Sequence, residues 1–134
     1  MAFQAATKNL QTVRDFVAKY AFEHGYTEKA VHEITLAVDE AATNIIKHAY
    51  KFDSSRKVDL SLTFEPEKIC IILSDQGRNF TLQAFNKPDI EKQVKSKKRG
   101  GMGVYMIHSL MDQVRYASDG DTNEIIMCKK RSHS

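Results

Sequence analysis

"DEAATNIIKHAY", Asp39 to Tyr50, is the stretch on which the reading of this chain turns. Its apolar residues Ala41, Ile45 and Ala49 continue a face begun by Ala30, Ile34, Ala37 and Val38, so the spacing predicts one helix running to about Ala49. Thr27 is suited to cap that helix, and Glu28 places a negative charge in its first turn. Within it Glu40, Asn44 and His48 fall four residues apart, stacked on a single stripe. A polar stripe beside a buried face is commonly a solvated edge. A carboxylate, an amide and an imidazole in that order could equally hold or activate a ligand, and the stripe alone leaves both readings open.

Working outward, Leu10, Val13, Phe16, Val17, Tyr20 and Ala21 recur with helical period before Gly25, which supplies a stop. Downstream, "VDLSLTF" (Val58 to Phe64) alternates as a half-buried strand does. "PEK" then turns the chain into "KICIILSD" (Lys68 to Asp75), a continuous apolar run typical of a central strand. Residues 81–100 lack periodicity and carry Pro88 among many lysines, which reads as a loop. Glycines at 100, 101 and 103 precede an expected helix over Val104 to Met111. Strands are expected around Gln113 to Ala117 and Glu124 to Lys129, joined by the turn "SDGDTN". This order predicts an α+β fold, a two-layer α/β sandwich with helices on one face of a mixed, mainly antiparallel sheet.

The bulk properties agree. A chain of 134 residues, 42% hydrophobic and 28% charged, suits a single domain spanning 1–134 with one modest core. A net charge of +3 is too small to argue for nucleic acid, and "KQVKSKKR" and the C-terminal "KKRSHS" read as a solvated loop and tail. With no signal peptide and no apolar run long enough to span a bilayer, a cytoplasmic protein without membrane attachment is expected. Cys70 and Cys128 lie in strand-like apolar runs and are expected as buried small hydrophobes rather than a disulfide or metal site.

Two further motifs bear on the stripe. "DQGRNF" (Asp75 to Phe80) sets an acid at the end of a buried strand, with Gly77 close behind. "RGGMGVYMI" (Arg99 to Ile107) opens a helix with closely spaced glycines, which let backbone N–H groups approach an anion. Taken in order, E-x-x-x-N on a helix, D-x-G-x-x-F after a strand and G-x-G at a later helix resemble the GHKL ATP-binding fold of gyrase B, MutL and the histidine kinases. "LAVDEAATNIIKHAY" and "GGMGVYMIHSLMDQVRY" are similar to the small anti-sigma serine kinases of bacteria, the RsbW and SpoIIAB group.

That resemblance implies ATP and Mg²⁺ as cofactors and assigns roles residue by residue. Asn44 matches the amide that ligates Mg²⁺, and Glu40 the carboxylate that acts as general base on an attacking hydroxyl. His48, with Lys47 beside it, continues toward the phosphates. Asp75 matches the acid that accepts a hydrogen bond from the adenine amino group; Gly77 gives the base room and Phe80 packs by the pocket. Gly101 and Gly103 match the phosphate-cradling turn, with the backbone of Met102 and Val104 as donors, and the lysine-rich residues 81–100 would form the ATP lid.

The implied function is a serine/threonine protein kinase that sequesters an RNA polymerase sigma factor and phosphorylates a STAS-domain antagonist, with a homodimer among the expected assemblies. A nucleotide-gated binding module with little kinase activity is the alternative, and a histidine-kinase fragment a third reading that lacks its dimerisation helix. The chain also departs from the family. Only "MAFQAA" precedes the first helix, so the usual leading strand is expected to be shortened or missing. "GDTNEII" stands where a glycine–threonine pair usually supports the adenine site, leaving Thr122 or Asn123 as substitutes.

Overall fold

The computed structural model describes residues 1–76 and 99–131, with the backbone alone over 99–104. A short strand β1 (Ala2–Gln4) leads through a single helical turn at Thr7–Asn9 into α1 (Leu10–Glu23) and α2 (Glu28–Asn44). Strands β2 (Lys57–Phe64) and β3 (Lys68–Asp75) follow, then α3 (Arg99–Leu110), β4 (Gln113–Asp119) and β5 (Thr122–Lys130). The sheet has five strands in the order β1-β2-β3-β5-β4, and each of these pairings is antiparallel. The expected leading strand is therefore present but only three residues long.

The predicted faces are the ones that bury. Leu10, Val13, Val17 and Ala21 of α1, and Ala30, Ile34, Ala37, Val38 and Ala41 of α2, pack over a sheet face built from Val58, Leu60, Ile69, Ile71, Leu73, Ile125 and Met127. Thr27 caps α2 as expected, its Oγ1 accepting from the Ala30 N–H at 3.1 Å. Gly25 is left-handed at φ +85, which lets α1 turn into that cap. Lys129 ties the layers together: its Nζ donates to the Leu110 carbonyl at 2.7 Å, at the end of α3, and lies 3.6 Å from Glu33 of α2.

Three local expectations are corrected. The regular α-helix stops at Asn44 and continues as a π-helical turn over Ile45–Ala49, closed by the Tyr50 N–H bonding to the Ile45 carbonyl at 2.9 Å. Ile45, Ile46, Ala49 and Tyr50 are all buried along this turn. Lys51 and Phe52 then take left-handed φ values of 49 and 64, reversing the chain toward β2. Second, α3 starts at Arg99 rather than Val104, so the glycines lie inside its first turns. Its packing against α2 outweighs the low helix propensity of glycine.

The third correction concerns the cysteines. Cys70 and Cys128 form a disulfide between β3 and β5. The register places them directly opposite one another with Cα atoms 4.1 Å apart, a proximity that two separate apolar runs could not reveal in the sequence. Reduction, or Cys70→Ser, opens a loop with a sequence separation of 58. The expected loss is about 2–4 kcal/mol of unfolding free energy, read from urea titrations with and without reductant; superimposable curves would show that the bond does not stabilise the fold.

Candidate functional site

The α2 stripe divides into a part that points inward and a part that does not. Asn44 is only 6% exposed, and its Nδ2 has no hydrogen-bond partner among the described residues. A buried amide with unmet hydrogen-bonding capacity costs stability, on the order of 1–3 kcal/mol, unless a ligand satisfies it. One turn earlier, Glu40 is half-buried. Burial raises its pKa, the neighbouring Asp39 raises it further, and Lys47 partly offsets both. Asp39 itself is held by Arg14 of α1, so the charge beside Glu40 is fixed in place. His48 and Lys47 are exposed and lie within the π turn. Of the expected stripe, Asn44 is buried, Glu40 half-buried and His48 exposed.

Asp75 lies at the end of β3 and is buried. Directly across on β5, Asn123 donates from Nδ2 to Asp75 Oδ1 at 3.3 Å, while its own Oδ1 accepts from Ser118 Oγ at 2.8 Å. Asn123, rather than Thr122, is therefore the residue beside the acid. The relay Ser118–Asn123–Asp75 orients the carboxylate. Thr122 lines a cleft next to it together with Tyr50, Arg56, Ser74 and Asp75.

Tyr50 is the residue that sequence reasoning passed over, although it closes the deciding stretch. It is buried, its hydroxyl donates to the Lys57 carbonyl at 2.7 Å and accepts from the Gln76 N–H at 2.7 Å, next to Asp75. An aromatic at the end of an amphipathic helix reads as core, and nothing local announces the hydroxyl's partners.

Helix α3 packs against α2 along the same side of the molecule. A helix that begins at Arg99 leaves its first-turn N–H groups without intrahelical acceptors. Gly101 and Met102 of the expected cradle lie in the first turn of α3, and Val104 lies one turn further on. Gly103 lies inside the helix as well. Gly77, Phe80 and the expected lid lie outside the described residues, apart from the lid's last two, Arg99 and Gly100, which open α3.

The residues present fit an adenine nucleotide: a buried acid at one strand end, a buried unsatisfied amide, and a helix start able to take an anion. Among the described residues no three or more His, Cys, Asp or Glu side chains gather as a metal cage. A cation at Asn44 would take most of its ligands from phosphate and water, as Mg²⁺ commonly does.

Comparison with known proteins agrees with this geometry. The family model described as the histidine kinase-like ATPase domain matches residues 3–129. The serine-protein kinase RsbW of Halalkalibacterium halodurans is 34% identical over 123 residues, covering 89% of this chain and 75% of that protein. RsbW of Bacillus subtilis is 29% identical over 119 residues, covering 86% of this chain and 74% of that protein. Among solved structures, the RsbU and RsbW domains of a Mycobacterium tuberculosis protein superpose with a TM-score of 0.67 at 17% identity, matching all of this chain and 33% of that one. At that identity the likeness speaks for the fold. The extent of these matches and the site that α2, β3 and α3 build together lead to one assignment: the chain belongs to the histidine kinase-like ATPase family, in the group of the RsbW serine-protein kinases.

Proposed function

We propose that this chain is an ATP-dependent serine/threonine protein kinase and anti-sigma factor, a single domain over 1–134 that uses Mg²⁺, binds an RNA polymerase sigma factor and phosphorylates a STAS-domain antagonist. The observation that carries the chemistry is the pair on α2: a half-buried Glu40 with an elevated pKa, one turn before a buried Asn44 whose Nδ2 donor has no partner among the described residues and could meet a phosphate oxygen while Oδ1 served the cation. The likeness to RsbW supports these partners, and an activity in the cytoplasm is inferred with them. Disulfides are rare there, so the thiol content of protein isolated from cells bears directly on that placement.

Mg–ATP, when bound, supplies the electrophilic γ-phosphoryl group. Asp75 would select the base, because a carboxylate accepts a hydrogen bond from an amino group and repels the carbonyl oxygen that guanine presents instead. The first-turn amides of α3 would bind anionic oxygens at the positive end of the helix dipole. Asn44 would offer a neutral amide oxygen to the cation. Glu40 would take the proton from the incoming serine or threonine hydroxyl, and its raised pKa makes it a better base than an exposed carboxylate.

The nucleotide pocket is tested by thermal shift with ATP, ADP and GTP, each with and without Mg²⁺. Saturation at a hundred times Kd stabilises a fold by about 2.7 kcal/mol, so ATP should raise Tm clearly and GTP should not. Asp75→Asn should erase the difference, and equal responses in the unaltered protein would overturn the base assignment.

Glu40→Gln should abolish phosphate transfer to the antagonist by about 10²-fold or more while sparing ATP binding. Unimpaired transfer would remove the general base; absent transfer in the unaltered protein, with partner affinity still nucleotide-dependent, would favour the binding module. The acid limb of the rate profile should lie above that of an ordinary carboxylate, because transfer requires ionised Glu40. Asp39→Asn should move it to lower pH. Stability has the opposite sign: a folded pKa above the unfolded one favours folding most below the unfolded pKa, and that contribution is lost as pH rises through the folded value.

Asn44→Ala should cost the ligand-free protein little stability, within about 1 kcal/mol, because no hydrogen bond from Nδ2 is lost. The stabilisation by Mg–ATP should nevertheless disappear. A loss above about 2 kcal/mol without ligand would show that the amide serves the fold instead.

A further inference from the structure

The β2–β3 ladder pairs Asp59 with Ser74, and continuing that register by one more pair of rungs sets Lys57 opposite Gln76. There the strands do not bond directly. The Gln76 N–H donates to the Tyr50 hydroxyl at 2.7 Å, and that hydroxyl donates onward to the Lys57 carbonyl at 2.7 Å. A phenol from the end of the π turn is inserted into the ladder as a relay, so β3 parts from β2 as it reaches Asp75. The Gln76 carbonyl is taken as well, accepting from Arg56 Nη2 at 2.7 Å, and the Arg56 guanidinium lies 5.0 Å above the Tyr50 ring. Both polar groups of the residue after Asp75 are thus held by side chains of the segment between α2 and β2. The Tyr50 hydroxyl also senses the Asp75 charge: burial raises its pKa most, the hydrogen bond from Gln76 opposes this, and Asp75 adds to the rise.

We propose that Tyr50, assisted by Arg56, is a positioning residue for nucleotide specificity, fixing the backbone at Gln76 so that the Asp75 carboxylate meets the base in one orientation. The inference rests on the reading of Asp75 as the base-selecting acid. Because Tyr50 also terminates the helix that bears Glu40 and Asn44, it links the base end of the site to the phosphate end. Tyr50 touches neither base nor phosphate in this scheme; its effect passes through the peptide it holds.

The experiment is a double-mutant cycle on nucleotide affinity in the full chain, with Tyr50→Phe, Asp75→Asn and the pair, using ATP and GTP. Tyr50→Phe keeps the buried ring and removes only the relay. It should weaken ATP binding by about tenfold, narrow the ATP-over-GTP ratio, and raise KM for ATP more than it lowers kcat. The double variant should be no weaker than Asp75→Asn alone, as expected when one residue acts through the other. Arg56→Met, at an exposed position, should shift the ratio in the same direction by a smaller factor and serves if Tyr50→Phe folds poorly. An unchanged ATP-over-GTP ratio in both variants, or fully additive losses in the cycle, overturns the positioning role and leaves the proposed kinase standing. An unaltered protein that shows no preference for ATP overturns both the positioning role and the base-selecting reading of Asp75 on which it rests.

Discussion

Strand β3 has no free edge. β2 bonds to it along one side and β5 along the other, and α2 lies across the face that holds Ile69, Ile71 and Leu73. Every feature of the site inherits its position from this enclosure. A shift of one residue in the β3–β5 register would send Asp75 to the opposite face and part it from Asn123. The same register fixes the cysteine pair five residues away on each strand, so one alignment is held both by core packing at Leu73 and Ile125 and by a covalent bond at Cys70 and Cys128. Such redundancy suits a site whose acid must be buried: a mobile strand end would admit water and weaken the difference between one base and another.

Much of this was legible in the chain. The burial faces of α1 and α2, the Thr27 cap and the central character of "KICIILSD" follow from periodicity and local propensity, which act through neighbours in sequence. Glu40, Asn44 and Asp75 were identifiable through the resemblance of the three motifs taken in order, since the stripe and the strand-end acid alone left a bland reading open. What escaped was long-range. Cross-strand partners such as Cys70 and Cys128, or Asp75 and Asn123, are set by register, which no single strand encodes. The π turn escaped for a different reason: burial of Ile45, Ile46, Ala49 and Tyr50 at i, i+1, i+4 and i+5 suits an α-helix as well, so the pattern does not announce the wider turn. At the end of that turn Tyr50 reaches the strand end, where its hydroxyl accepts from the Gln76 N–H.

The glycines before Val104 show propensity and packing in competition. Read alone, "RGG" argues for a turn, and the structure instead continues the helix back to Arg99 because α3 lies against α2. The glycines of the motif therefore lie within the first turns of α3 rather than ahead of it. Glycine retains a purpose there, since the absence of side chains in the first helical turn lets a bulky anion approach the backbone.

The covalent link between β3 and β5 has one more implication. Cys70 and Cys128 bracket the stretch from Asp75 through α3 and β4, which includes every lysine of "KQVKSKKR". A trypsin cut anywhere in that run would yield halves that still migrate as one species on a denaturing gel without reductant and come apart once thiol is added. A nicked molecule of this kind would keep both partners of the Asp75–Asn123 contact on tethered strands, so severing the backbone need not sever the fold.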